Sequence, residues 1–217
     1  MKRLLVLSAA MLLGLAGAGQ VRADGDPASE RLVKLFRDAC LPNIGRPDMV
    51  AKWAERQQFE RIDNPQAIFL FVGKQSPGNA WIVPDPAGRF MLVTRAFPPS
   101  CVAYALEARA GEVESGFAAI VKERTKPNSE PRLEQEKLIT TSRGRVHSIV
   151  YRFPAADGLP DYALTSAVAE RPGGPFMGML QAMRTIGKGP VDPEIPMPMP
   201  TPPPGAPPQQ QPQQPKN

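Results

Sequence analysis

The chain has 217 residues, 42% hydrophobic and 22% charged, enough for one domain of ordinary size plus extensions and too few for a large multidomain enzyme or a long repeat array. Its 27 prolines far exceed the usual share of about 5%, so the excess has to sit in a particular segment. A single His starves the common metal and acid–base motifs of their usual participant.

Met1-Lys2-Arg3 precedes an apolar and small-residue run from Leu4 to Gly17, and Val21-Arg22-Ala23 fits a signal-peptidase site, so residues 1–23 are expected to be an export signal cleaved after Ala23. The competing reading is a retained N-terminal anchor. The run is shorter than the ~18 residues of a spanning helix, so no integral membrane segment is expected after cleavage. With no Cys near the cleavage site, lipidation is disfavoured. Without Lys2, Arg3 and Arg22 the excess of basic over acidic residues falls from five to two. With only 6% aromatic residues, a nucleic-acid partner is not expected.

Asp26 and Pro27 read as the cap and first position of a helix in which Leu32, Leu35, Phe36, Ala39 and Cys40 recur at helical spacing up to Leu41-Pro42. Pro47 opens a second helix with Met49, Val50, Trp53, Ala54 and Gln57 on one face, ended by Asn64-Pro65. Ala67 to Val72 then reads as a short apolar strand. Asn79 to Val83 and Arg89 to Arg95 flank a turn-rich link and predict a hairpin. Ser100 to Glu107 is a strand with Val102, Tyr104 and Leu106 on one face and Cys101, Ala103 and Ala105 on the other, so both faces should be covered.

Val113, Phe117, Ile120 and Val121 mark an amphipathic helix ending in the basic stretch Lys122 to Lys126, which complements its dipole. Lys137 to Thr141 and Arg145 to Phe153 form a second hairpin around Ser142-Arg143-Gly144, with His147, Ile149, Tyr151 and Phe153 on one face. Tyr162 to Ala169 is another strand. Phe176 to Ile186 fits helix and strand equally. From Pro190 to Asn217 there are 12 prolines, five glutamines and three charged residues, the composition of a disordered, partly polyproline-II tail. The expected architecture is a single α+β domain over residues 24–189: an antiparallel sheet with two N-terminal helices and one middle helix largely on one face.

Cys40 and Cys101 are the only cysteines, and in an exported chain a disulfide between them is the simplest use, tying the first helix to the sheet. Free buried thiols or a Cys–His147 nucleophilic site are the alternatives. His147 otherwise reads as a hydrogen-bonded residue on a strand face. No HExxH, paired CxxC, GxSxG, SxxK or phosphate loop is present. Glu134 and Glu136, expected on one strand face, and Asp157 and Asp161 around Gly158-Leu159-Pro160 are the remaining candidates for acid–base chemistry. Met177, Met179, Met183, Met197 and Met199 could serve a soft metal such as Cu(I), but they fit equally as adaptable packing and tail residues. No catalytic residue, cofactor or metal ligand is assigned.

Ala39-Cys40-Leu41-Pro42, the Trp-bearing second helix, and Gly78-Asn79-Ala80-Trp81 before a Phe-rich hairpin and Cys101 resemble small exported proteobacterial proteins of unknown function. The resemblance implies a small α+β domain and carries over no catalytic residue. The sequence thus points to a periplasmic or secreted binding module whose partner is an envelope protein or a small ligand. A carboxylate-dependent hydrolase and a Met-based copper protein are the alternatives.

Overall fold

The computed structural model describes residues 25–72, 76–125, 130–141, 144–155, 159–171 and 176–185; the expected signal and the Pro-rich tail lie outside these. Helix α1 (Pro27–Leu35) starts at Asp26, whose carboxylate accepts hydrogen bonds from the Ser29 N–H at 3.0 Å and the Ser29 hydroxyl at 2.6 Å. One orphan amide of the first turn is thereby satisfied, and Pro27 sits where its missing N–H costs nothing. The helix widens by one turn over Phe36–Cys40, where the Leu41 N–H reaches back to the Phe36 carbonyl, and closes with a tight turn, Leu41–Asn43.

Helix α2 (Pro47–Arg56) stops earlier than its pattern suggests. Gln58 adopts left-handed backbone with φ of 58°, and the two-residue strand β1 (Glu60–Arg61) follows. Asn64-Pro65 does not end α2 but begins helix α3 (Pro65–Val72), with Asn64 Oδ1 accepting from the N–H groups of Gln66 and Ala67 at 2.9 and 3.3 Å. The expected strand over Ala67 to Val72 is therefore a helix. A short, continuous apolar run has no period of its own, and the cap in front of it decides.

The remaining elements are β2 (Gly78–Asp85), β3 (Gly88–Ala96), β4 (Pro99–Ala105), helix α4 (Ala110–Arg124), β5 (Arg132–Thr141), β6 (Gly144–Phe153), β7 (Tyr162–Ala169) and β8 (Gly178–Arg184). The ambiguous segment after Phe176 is thus a strand. The eight strands form one antiparallel sheet in the order β1-β2-β3-β4-β8-β7-β6-β5. Two runs of consecutive strands are joined by the last strand of the sheet, which lies between β4 and β7.

Alternation assigns the faces. Trp81, Leu92, Cys101, Ala103, Leu180, Leu164 and Phe153 pack with Leu32, Leu35, Val50, Ala54, Val113, Phe117 and Ile120, so α1, α2 and α4 cover this first face. Gly178 lets α1 approach β8: a Cβ there would stand 2.8 Å from Leu32 Cδ2 and 3.2 Å from Val113 Cγ2. On the second face Val102, Tyr104, Val93, Ala80 and Met179 cluster with Val72 of α3. The mixed α+β class stands, with α3 on the face opposite the other three helices. Both faces of β4 are buried, as its uniformly small or apolar composition anticipates. Val102, Gln181, Thr165 and Val150 make a buried row across the second face, from the α3 cluster towards β6.

Candidate functional site

The wide turn of residues 36–40 and strand β4 bring Cys40 and Cys101 together as a disulfide with Cα atoms 5.3 Å apart. Both residues are buried in the core between the helical layer and the sheet. With both sulfurs bonded to each other, neither is a thiol that could act with His147.

His147 stands on the first face, between α4 above it and the edge strand β5 beside it. Its Nδ1 lies 2.6 Å from Glu114 Oε1 and its Nε2 lies 3.2 Å from Glu136 Oε1. The hydrogen bond to Glu114 raises the imidazole pKa above its ordinary 6.5; burial opposes this, and the charges of Glu114 and Glu136 reinforce it. When protonated, the ring donates to both carboxylates and has no lone pair to offer a proton, a metal or a carbonyl. The cavity of about 490 Å³ beside it is lined by Ala110, Glu114, Glu136, Leu138, Val168 and Glu170, and Glu170 pairs with Arg145 at 2.8 Å. Among the described residues no group of three or more His, Cys, Asp or Glu is placed to hold a metal ion.

The carboxylates singled out in the sequence do not converge. A register shift between Leu133 and Gln135 places Glu134 and Glu136 on opposite faces, correcting the expectation of a shared one: a bulge moves one residue out of alternation. Glu134 faces Arg152, with Oε1 2.7 Å from Nη2 and Oε2 3.0 Å from Nε, and this mostly buried pair raises the guanidinium pKa. Asp161 caps a loop, accepting from the Ala155 N–H at 3.2 Å. Asp157 lies outside the described residues. Met179 and Met183 share the second face of β8 but stand four residues apart, about 13 Å along a strand. Met177 precedes that strand, and Met197 and Met199 lie outside the described residues.

A different constellation gathers where α2 begins and α4 and β8 end. Arg46, Arg124 and Arg184, with Leu41, Pro42, Ile44, Gly45 and Tyr162, line an open cleft of about 400 Å³. Each guanidinium donates to a backbone carbonyl: Arg46 Nη2 to Pro42 at 2.9 Å, Arg124 Nη2 to Leu41 at 3.1 Å and Arg184 Nη1 to Pro160 at 2.6 Å. Carbonyl partners orient a cation without neutralising it. Gly45, with φ of 74°, lies directly beneath the Arg184 stem, whose Cγ occupies the space a Cβ would need. Tyr162 pairs with Arg184 across the β7–β8 ladder, and its ring is stacked on Phe153 with centroids 4.9 Å apart and planes within 4°. Three arginines so far apart in the chain leave no local motif. The one signal was the basic stretch at the end of α4, which reads from sequence as a solvated helix end.

Comparison of the chain with protein-family models, with curated proteins and with solved structures finds no match to any of them.

Proposed function

We propose that the chain is an exported, envelope-associated binding module that performs no catalysis. The observation that carries this reading is the state of its two most reactive residue types. The cysteines are spent on one disulfide, and the sole imidazole has a carboxylate against each ring nitrogen. These groups hold the helical layer to the sheet and to one another. Export rests on the Met1–Ala23 pattern, and the disulfide is at home in the oxidising compartment that export implies. Among the described residues no helix is long and apolar enough to cross a membrane.

The reading is tested by incubating the purified protein with peptide, glycan and ester substrates beside a Glu134→Gln/Glu136→Gln/Asp161→Asn variant. The expected result is no turnover above background in either. Turnover that disappears in the variant overturns the proposal in favour of a carboxylate-dependent hydrolase. Deleting residues 190–217 then locates the binding surface: recovery of an envelope partner that is indifferent to the deletion assigns it to the folded part.

A further inference from the structure

We infer that the cleft between Arg46, Arg124 and Arg184 is a binding site for an anionic ligand bearing more than one phosphoryl group. The inference rests on the reading of the chain as a binding module and names the chemistry of what it binds.

Three features carry it. First, no carboxylate lines the cleft, whereas the cavity at His147 is lined by three, and none of the three arginines is in an ion pair among the described residues. Several arginines elsewhere are neutralised, among them Arg31 by Asp85 at 2.5 Å, Arg89 by Glu107 at 2.5 Å and Arg152 by Glu134 at 2.7 Å. Three cations around one concavity repel one another, and among the described residues only Arg124 has a carboxylate, Glu123, close enough to feel its charge, so a multiply charged anion removes a cost that the protein leaves largely in place. Second, each guanidinium has five N–H donors and one terminal nitrogen engaged on a backbone carbonyl, so the fork is held in place with most of its donors left over. A fixed planar fork recognises phosphoryl oxygens bidentately in a way that a flexible ammonium does not.

Third, the surroundings are built for the purpose. Arg46 is the N-cap residue of α2, which has no side-chain cap, so the start of that ten-residue helix lies at the rim of the cleft, with Asp48 in its first turn offsetting part of the helix dipole. Gly45 admits the Arg184 stem, which any larger residue would displace. The cleft, about 400 Å³, exceeds what one phosphate group fills, and Tyr162 and Ile44 supply an apolar wall for whatever connects the groups. Soluble diphosphates and bis-phosphate esters, and lipid headgroups that carry two phosphates, share this chemistry.

Isothermal titration of the full-length protein with pyrophosphate, at low ionic strength and without divalent metal, should give saturable binding of one ion per chain. Charge-assisted hydrogen bonds of this kind predict that Arg46→Gln and Arg184→Gln each weaken it about tenfold or more, while Arg56→Gln, outside the cleft, leaves it within about twofold. Arg46→Lys keeps the charge and loses the fork, so it should fall between. Arg46 is exposed and anchored only to its own turn, so its variants keep the test valid should the others destabilise the fold. Absence of saturable binding, or equal weakening by Arg56→Gln, overturns the inference and leaves the binding-module reading standing. Release of orthophosphate during the titration would do the reverse, refuting the non-catalytic reading while keeping the site. Co-sedimentation with cardiolipin vesicles, whose headgroup joins two phosphates, but not with phosphatidylcholine vesicles, lost in Arg46→Gln, assigns the lipid source; pyrophosphate binding without vesicle binding assigns the soluble one.

Discussion

Replacing Cys40 and Cys101 together by alanine removes a bond that closes a sequence separation of 61 residues. In the chain-entropy account a loop of that length costs the cross-linked unfolded state on the order of 4 kcal/mol relative to an open chain. Both cysteines are almost wholly buried, at 0% and 2% exposure, so alanine is the right replacement; serine would add a buried hydroxyl. With a urea dependence of about 2 kcal/mol per molar for a domain of this size, the denaturation midpoint should fall by about 2 M. The melting temperature should fall by about 8–16 °C. The same buried position makes the wild-type bond slow to reduce under native conditions, because a reductant reaches it only through opening of the α1–sheet contact. Urea titrations followed by Trp53 and Trp81 fluorescence, with and without the double substitution, measure the shift. A midpoint change below about 0.5 M would refute the reasoning, since it would mean that the loop is already ordered in the unfolded ensemble.

The His147 cluster carries a pH signature. Its folded pKa lies above the ordinary 6.5, so its contribution is complete below that value and is lost as pH rises through the folded pKa. With a side chain 28% exposed, the amplitude should be about 1 kcal/mol or less. Against His147→Gln, wild-type stability measured in denaturant from pH 6 upward should converge on the variant's; a gap that widens with pH contradicts the assignment. Arg152→Met leaves Glu134 charged and mostly buried and should cost about 3–5 kcal/mol, whereas Arg152→Met/Glu134→Leu recovers most of it; equal losses in the two variants would exclude the pair as the cause. Asn64→Ala removes the α3 cap and should cost about 1 kcal/mol, visible as faster amide exchange confined to residues 65–72. Exchange that rises uniformly would show that α3 is not a separately opening unit.

The chain announces those elements whose signals are local. Asp26-Pro27 marks the start of α1, the spacing of Val113, Phe117, Ile120 and Val121 marks α4, and the unbroken small and apolar composition of β4 marks a strand covered on two sides. Where signals compete, the sequence is silent. Ala67 to Val72 has β-rich apolar residues but a capping Asn in front, and hydrogen bonding of that cap to two amides outweighs strand propensity. The bulge before Gln135 is invisible in composition, yet it separates Glu134 from Glu136 and so dissolves the most obvious acid–base pair. The arginine cleft is illegible for a different reason: its members come from three elements that only the fold makes neighbours. The disulfide was legible because two cysteines permit one pairing.

The position of β8 between β4 and β7 has a consequence for the order of assembly. The strands emerge from synthesis as two hairpin-linked ribbons, β2-β3-β4 and β5-β6-β7, each ending in an edge with unpaired N–H and C=O groups. Neither edge can be closed until residues 178–184 arrive, because both lie against the last strand. Such edges are templates for pairing with other chains, so the half-sheets are most exposed to misassociation during the interval in which the carboxyl-terminal strand is still missing. Cys40 and Cys101 both precede that strand, so oxidation can fasten the first ribbon to α1 while the second is still incomplete. The final strand then acts as a keystone, and a chain cut short before Gly178 would retain most of its residues and none of its continuity.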